Sequence, residues 1–223
     1  MDDRNRYTIA IIGGTGKEGK GLAYRWAKAG HKVIIGSRSK EKALAAVNEL
    51  QSQHAVSLEG MDNESAVKLC DIAAITVPYA AHRPTLEALK PHLQGKILVD
   101  VTVPLVPPKV TRVSMPSEGS AAQEAQAILG AETKVVAAFQ NISHERLMND
   151  EDVDCDVLVC GSGKEARQVV LGLVRDVGLK GWDAGVIENA VVVEGLTSVL
   201  IGLNIQHKVH ASGIRITGID TAE

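Results

Sequence analysis

Residues 9–30 read IAIIGGTGKEGKGLAYRWAKAG and contain Gly14-x-Gly16-x-x-Gly19 between an apolar run and a helical pattern. That spacing suits a dinucleotide. Gly14 allows a tight turn, Gly16 lets the backbone approach a pyrophosphate, and Gly19 lets helix and strand pack closely. A pyrophosphate there meets free N–H groups at the positive end of a helix dipole, with Thr15 in reach. A second match competes with it. Gly161-Ser-Gly163-Lys-Glu-Ala166 also follows an apolar run and opens a helical pattern, and Asp183 lies at the distance of a ribose-binding acid. The first loop sits at the first strand–helix turn, beside the point where strand order reverses in such sheets. The run after the second loop, LKGW, is short and holds Gly181. The first loop is therefore the expected cofactor site, and the second a tight turn.

The end of the second apolar run selects the dinucleotide. An acid there would bind the adenosine ribose and favour NAD. The chain has IIGSRSKEK instead, with no acid before Glu41. Ser37 can hydrogen bond a 2′-phosphate, Arg38 can pair with it and stack on adenine, and Lys42 adds charge. Cations at a helix N-terminus oppose its dipole, so their placement points to a bound anion. The expected cofactor is NADP(H).

Few residues suggest proton or metal chemistry. Tyr24 and Lys28 have a Y-x-x-x-K spacing but sit beside the phosphate loop, far from any nicotinamide. The seven histidines form no ligand pair, and Cys70, Cys155 and Cys160 have no metal-ligand spacing. Cys155 and Cys160 are expected to face opposite sides of one strand as buried, reduced thiols. Ligands of parallel sheets sit outside the carboxyl ends of the strands. Those ends are expected at Val77-Pro78-Tyr79, Val103-Pro104-Leu105 and Gln140-Asn141-Ile142, mostly apolar. Such a pocket suits direct hydride transfer between two flat rings, which needs alignment and exclusion of water more than a proton relay. No catalytic acid, base or metal ligand is assigned.

Apolar runs of strand length alternate with helical patterns along the chain. They predict an α/β fold, a Rossmann-type doubly wound parallel sheet with a short C-terminal helical extension. Residues 1–185 would form the nucleotide-binding domain, and residues 186–223 a helix and tail serving a dimer or substrate-site role. The helix NAVVVEGLTSVLIGLNIQHK is apolar nearly all round, so it either packs on its own sheet or meets a second subunit. The longest apolar stretch, AVVVEGLTSVLIGL, reads as shorter than a membrane span and contains Glu194. Aromatics are 3% and the formal charge is −3, which leaves neither stacking platforms nor a basic field for nucleic acid or anionic membrane. The polar start MDDRNRYT is unlike a signal peptide, and a cytoplasmic protein is expected.

The chain resembles the F420-dependent NADP oxidoreductases over its full length. The likeness runs through IIGGTGKEGKGLA, HKVIIGSRSKEKA, PLVPPK, EGSAAQEAQAILG, VVAAFQNIS, VLVCG, WDAG, VEGLTSVLI and GIRITGI. The resemblance implies hydride transfer between nicotinamide C4 of NADP(H) and C5 of the deazaflavin coenzyme F420, in a homodimer or higher assembly. It places Gly14, Thr15, Gly16 and Gly19 at the pyrophosphate and Ser37, Arg38 and Lys42 at the 2′-phosphate. Val77 and Pro78 would border the nicotinamide, and Pro104, Leu105, Gln140 and Ile142 the deazaflavin site. Gln140 stands where some members carry histidine, and Val191 where some carry arginine. The competing readings are an NADPH-dependent reductase of a flavin, ferric chelate or imine, and an NADP-binding sensor without turnover. An imine would want an acid nearby for protonation, which the apolar strand ends do not offer.

Overall fold

The computed structural model describes residues 6–149 and 153–219. Eight strands among them form one sheet in the order β3-β2-β1-β4-β5-β6-β7-β8. They are β1 (Thr8–Ile12), β2 (Lys32–Ser37), β3 (Leu58–Asp62), β4 (Ile72–Ile75), β5 (Ile97–Asp100), β6 (Lys134–Ala137), β7 (Asp156–Gly161) and β8 (Lys180–Gly185). Helices α1 (Lys17–Lys28), α2 (Lys40–Gln53), α3 (Asn63–Leu69), α4 (Tyr79–Leu93), α5 (Ala121–Leu129), α6 (His144–Met148), α7 (Lys164–Asp176) and α8 (Ala190–His207) cover both faces. The central strands TIAII, IAAI and ILVD are almost wholly buried, as expected for parallel strands covered on both sides. Two core layers result. One holds Ile9, Ile11, Leu22, Trp26 and Val174, the other Ala10, Ile12, Leu86, Leu98 and Val193.

The doubly wound sheet expected from the sequence is present, with one strand reversed. Strand β7 runs antiparallel to β6, pairing Val136 with Gly161 and Ala137 with Cys160, while β8 is parallel to β7. Strand order reverses at β1, which pairs with β2 on one side and β4 on the other. Residues 58–69 form a strand and helix that periodicity does not reveal. Of LEGMD only Leu58 is buried, because β3 is an edge strand. Gly60 lets β3 lie against α2: a Cβ there would stand 2.9 Å from the Leu44 amide nitrogen.

Local chemistry explains several helix starts. Ser39, Asp62, Ser120 and Ser143 cap α2, α3, α5 and α6 through their side-chain oxygens. Cys155 and Cys160 face opposite core layers, and all three cysteines are buried and free. Helix α8 corrects one expectation. With the 3₁₀ turn before it, it spans Ile187–His207, 21 residues, long and apolar enough by length and composition to cross a membrane. It nevertheless docks on the fold by polar contacts. Glu194 is fully buried and accepts from Ala121 N and Ala122 N at 2.7 and 3.0 Å, and Thr197 Oγ1 donates to Gln140 O at 2.8 Å. The chain after α8 lies along β7, where Asp156 N donates to Ile214 O and Ile216 N to Asp156 Oδ2, both at 2.8 Å.

Candidate functional site

A cleft of about 740 Å³ lies at the carboxyl ends of β1, β2, β4 and β5, where strand order reverses. The first glycine loop forms its floor. Gly14 N donates to Ile11 O at 3.1 Å and to Gly36 O at 2.9 Å, which fixes the turn. A Cβ on Gly19 would meet Gly14 Cα at 2.6 Å, so helix and loop touch directly there. At Gly16 the nearest atom to such a Cβ is 4.0 Å away, leaving this residue open to the cleft. Gly16 is also the N-cap of α1 and offers no side-chain acceptor, so the amides of the first turn keep capacity for an anion. The preceding Gly13 has φ +71°, and a Cβ there would run into Val77; its N–H donates to Asn63 Oδ1 at 3.2 Å. Neither Gly13 nor Asn63 is part of the spacing motif, yet both shape the loop.

Ser37, Arg38 and Lys42 line one end of the cleft. Arg38 and Lys42 are exposed and Ser37 is buried. Glu41 turns away, accepting from Ser39 Oγ at 2.5 Å; that bond, then its own amide, lowers its pKa. A further hollow of about 420 Å³ shares Ser37, Arg38, Asn63, Ala81 and Thr85 with the cleft and extends it. At the other end stand Val77, Pro78, Tyr79, Thr102, Val103 and Leu105. Pro104, Gln140 and Ile142 do not line the cleft. Pro104 is buried, Ile142 belongs to the core layer of Trp26 and Phe139, and Gln140 Nε2 donates to Asp100 O at 2.7 Å.

Glu18 also lines the cleft, on the first turn of α1. Its Oε1 is buried without a hydrogen-bond partner, and burial pushes the carboxyl up to about 8. Below that pH the group is neutral beside the open amides. Above it an anion would face any bound pyrophosphate. NADP+ affinity is expected to fall as pH rises through about 8, and the fall should vanish in Glu18→Gln. Fluorescence titration across pH 6.5–9.5 checks this (on the order of the ordinary enzyme range); identical profiles for both proteins would place Glu18 away from the phosphates.

The second glycine loop lies elsewhere. Because β7 is reversed, Gly161 and Gly163 fall at the end of the sheet opposite the carboxyl ends of the parallel strands. Ser162 N donates to Val135 O at 2.9 Å, and Asp183 pairs with Arg167 at 2.6 Å. Tyr24 is buried against His54, ring centroids 4.2 Å apart, with Lys28 over its face at 5.7 Å, and neither lines the cleft. Among the described residues no three His, Cys, Asp or Glu side chains gather as a metal site.

One feature contradicts the expectation of apolar strand ends. Strand β5 ends at Asp100, not near Pro104, and Asp100 is fully buried with His82, Glu124 and Glu194 around it. His82 Nε2 lies 2.8 Å from Asp100 Oδ2. Tyr79 Oη donates to Glu124 Oε2 at 2.9 Å, and Arg83 Nε lies 2.8 Å from Glu124 Oε1. Burial opposes charge on His82, but the charge and hydrogen bond of Asp100, then Glu124 and Glu194, hold its pKa above the ordinary value. Burial, then Asp100, push Glu194 up to about 8 against the pull of the two amides it binds. Asp100 inside the apolar run ILVDVTV and Glu194 inside AVVVEGLTSVLIGL are the sequence signals for this cluster, since a buried carboxylate must find partners.

A parallel sheet with a glycine-floored cleft at its switch point defines a dinucleotide-binding protein of the Rossmann class. The family model described as NADP oxidoreductase, coenzyme F420-dependent, matches residues 8–104. Over 222 residues the chain is 43% identical to the F420-dependent NADP reductase of Methanocaldococcus jannaschii, covering 95% of this chain and 99% of that one. It is 40% identical to the enzyme of the same name from Methanothermobacter thermautotrophicus, covering 96% and 97%. A crystal structure from Arthrobacter sp. FB24, provisionally assigned as an F420-dependent NADP reductase, superposes with a TM-score of 0.82 at 24% identity, covering 95% of this chain and all of that one. The chain belongs to the F420-dependent NADP oxidoreductase family.

Proposed function

We propose that this protein transfers a hydride between NADP(H) and coenzyme F420. The reading is carried by one arrangement: a cleft cationic at Arg38 and Lys42, open at Gly16, and mainly apolar at Val77, Pro78, Val103 and Leu105. It stands in a chain 43% identical to an F420-dependent NADP reductase. Gly14, Thr15, Gly16 and Gly19 hold the pyrophosphate, Ser37, Arg38 and Lys42 the 2′-phosphate. Val77 and Pro78 press on one face of the nicotinamide, and Leu105 borders the deazaflavin. Pro104, Gln140 and Ile142 are assigned to the deazaflavin side of the site, although none of the three lines the cleft. The cofactors supply the hydride chemistry, and these side chains align two rings and keep water away. Anaerobic mixing of protein, NADPH and coenzyme F420 should bleach the visible deazaflavin band, reversed by excess NADP+. Intact NADPH binding without bleaching would move the reading to another acceptor or to a sensor.

Residues 1–185 serve as the NADP-binding domain and residues 186–223 as the dimer element. Helix α8 exposes Val192 (65%), Val199 (50%) and Ile205 (66%), a surface suited to a second copy of the chain. In sedimentation at micromolar concentration the native protein is expected to be a dimer and Val192→Glu/Ile205→Glu a monomer of unchanged fold. A monomeric native protein would end this assignment. The cytoplasm, where reduced thiols and both cofactors coexist, is the proposed compartment.

A further inference from the structure

Hydride transfer to a deazaflavin leaves a proton to be accounted for. The nicotinamide C4–H bond breaks, and the hydrogen and its electron pair form a new C–H bond at C5 of the acceptor. NADPH is oxidised, coenzyme F420 is reduced, and the reduced ring reaches its neutral form only by taking one proton. The sum is NADPH, F420 and a proton giving NADP+ and reduced F420. The reverse direction releases that proton. The apolar end of the cleft, at Val77, Pro78, Val103 and Leu105, offers no source for it.

The buried cluster behind the cleft does. Starting from the cleft, Tyr79 Oη reaches Glu124 Oε2 at 2.9 Å, and Glu124 Oε2 lies 4.0 Å from His82 Nδ1. His82 Nε2 lies 2.8 Å from Asp100 Oδ2, and Asp100 Oδ1 accepts from Thr102 N at 3.0 Å. Both ends of this chain, Tyr79 and Thr102, line the cleft, while His82 and Asp100 between them are fully buried. Three polar atoms about Asp100 are buried without a hydrogen-bond partner: His82 Nδ1, Thr102 Oγ1 and Gln140 Oε1. A cluster serving only to tie helices together would satisfy such atoms within the fold. Glu124 also touches Arg83, whose side chain is 48% exposed and pairs with Glu118 at 2.9 Å, so the cluster meets solvent away from the cleft.

We propose that His82, held by Asp100 and facing Glu124, is the internal proton store of the hydride transfer, coupled to the cleft through Glu124 and Tyr79. In reduction of the deazaflavin the Tyr79 hydroxyl gives its proton to the acceptor and is reprotonated through Glu124 by the His82 imidazolium, which is recharged from solvent on the Arg83 side of Glu124. In the reverse direction His82 takes the proton up. The groups facing His82 are Asp100 from β5, Glu124 from α5 and Glu194 from α8, with Tyr79 and Arg83 on its own helix. Three carboxyls around one imidazole favour its protonated form, the one the forward reaction uses. His82 is thus a positioning and proton-storing residue, and Tyr79 is the group that would meet the acceptor. The proposal rests on the F420 reading given above.

The test compares the native protein with His82→Gln, which keeps a donor toward Asp100 but cannot carry charge, and with Tyr79→Phe, which keeps shape at the cleft. Turnover with NADPH and coenzyme F420 should fall about a hundredfold in His82→Gln with the NADPH Michaelis constant within about twofold. The native solvent deuterium isotope effect and pH dependence of turnover should be lost in both variants. An unchanged turnover and isotope effect in a folded His82→Gln protein overturns the proposal. If His82→Gln does not fold, the same readouts on the cleft variant decide. Independently of turnover, imidazole resonances of the native protein should show His82 titrating above the ordinary histidine value, shifted down in Asp100→Asn. Ordinary titration of all seven histidines would also overturn it. Failure of the native protein to bleach coenzyme F420, with this histidine signature present, would instead remove the acceptor assignment.

Discussion

Arg38→Ala should raise the Michaelis constant for NADPH by about ten- to hundredfold and leave NADH use within about twofold. The size follows from what Arg38 can do. A guanidinium on a phosphate makes charge-assisted hydrogen bonds worth about 1.5–3 kcal/mol, and about 1.4 kcal/mol is tenfold in affinity. Arg38 is exposed and Lys42 stands nearby on α2, so screening and the remaining cation keep the loss at the lower end. Glu41 does not compensate, because its carboxylate is held by Ser39. NADH has no 2′-phosphate and loses only stacking on adenine. Steady-state kinetics with both nucleotides decides the matter: equal losses would show that Arg38 supports the fold or the adenine and does not read the phosphate.

The glycines of the loop should separate into two kinds. Gly19→Ala puts a methyl 2.6 Å from Gly14 Cα and 2.8 Å from Thr76 Oγ1. The first neighbour is backbone, which cannot swing aside, so α1 must move off the loop. Overpacking of this kind costs about 1–3 kcal/mol. For a chain of this size that lowers the melting temperature by about 2–12 °C, and the displaced amides should weaken NADPH binding at least tenfold (about 1.4 kcal/mol). Gly16→Ala is the contrast. Its Cβ would point into open space, 4.0 Å from Gly13 O, and its backbone has an ordinary φ of −75°. Stability should change by less than about 1 kcal/mol, since only a glycine N-cap is exchanged for alanine. NADPH affinity should nevertheless drop, because the methyl occupies the approach of the pyrophosphate. Calorimetric melting with and without NADPH tests both. A Gly16→Ala protein that binds NADPH like the native one would remove the pyrophosphate from this loop.

Local sequence chemistry was sufficient where each decision is local. The run KVIIGS is strand β2 and KEKALAAVNELQSQ is helix α2, residue for residue, because apolar patterning and the Ser39 cap act over a few positions. The phosphate loop, with the serine and cations beyond β2, is read from neighbours within 30 positions of one another. The lack of an acid before Glu41 is likewise a sequence fact. Edge strand β3 escaped because a strand buried on little of its surface carries no strong apolar pattern.

Tertiary structure decided what depends on direction and distance. Two glycine loops have nearly the same spacing, and the reversal of β7 against β6 sends Gly161 and Gly163 to the opposite end of the strands. Ile142 and Gln140 follow a strand as cleft residues would, but do not line the cleft: one is in the core and the other is bonded to Asp100 O. The cluster of His82, Asp100, Glu124 and Glu194 joins four separate elements, with Glu194 reaching amides 73 and 72 residues away. The sequence by itself determined that a G-x-G-x-x-G turn and a serine-and-cation turn exist, since each is built from adjacent residues. Which loop faces the cleft, and which polar side chains burial forces into contact, were decided by the fold, because strand direction and desolvation belong to no single segment of the chain.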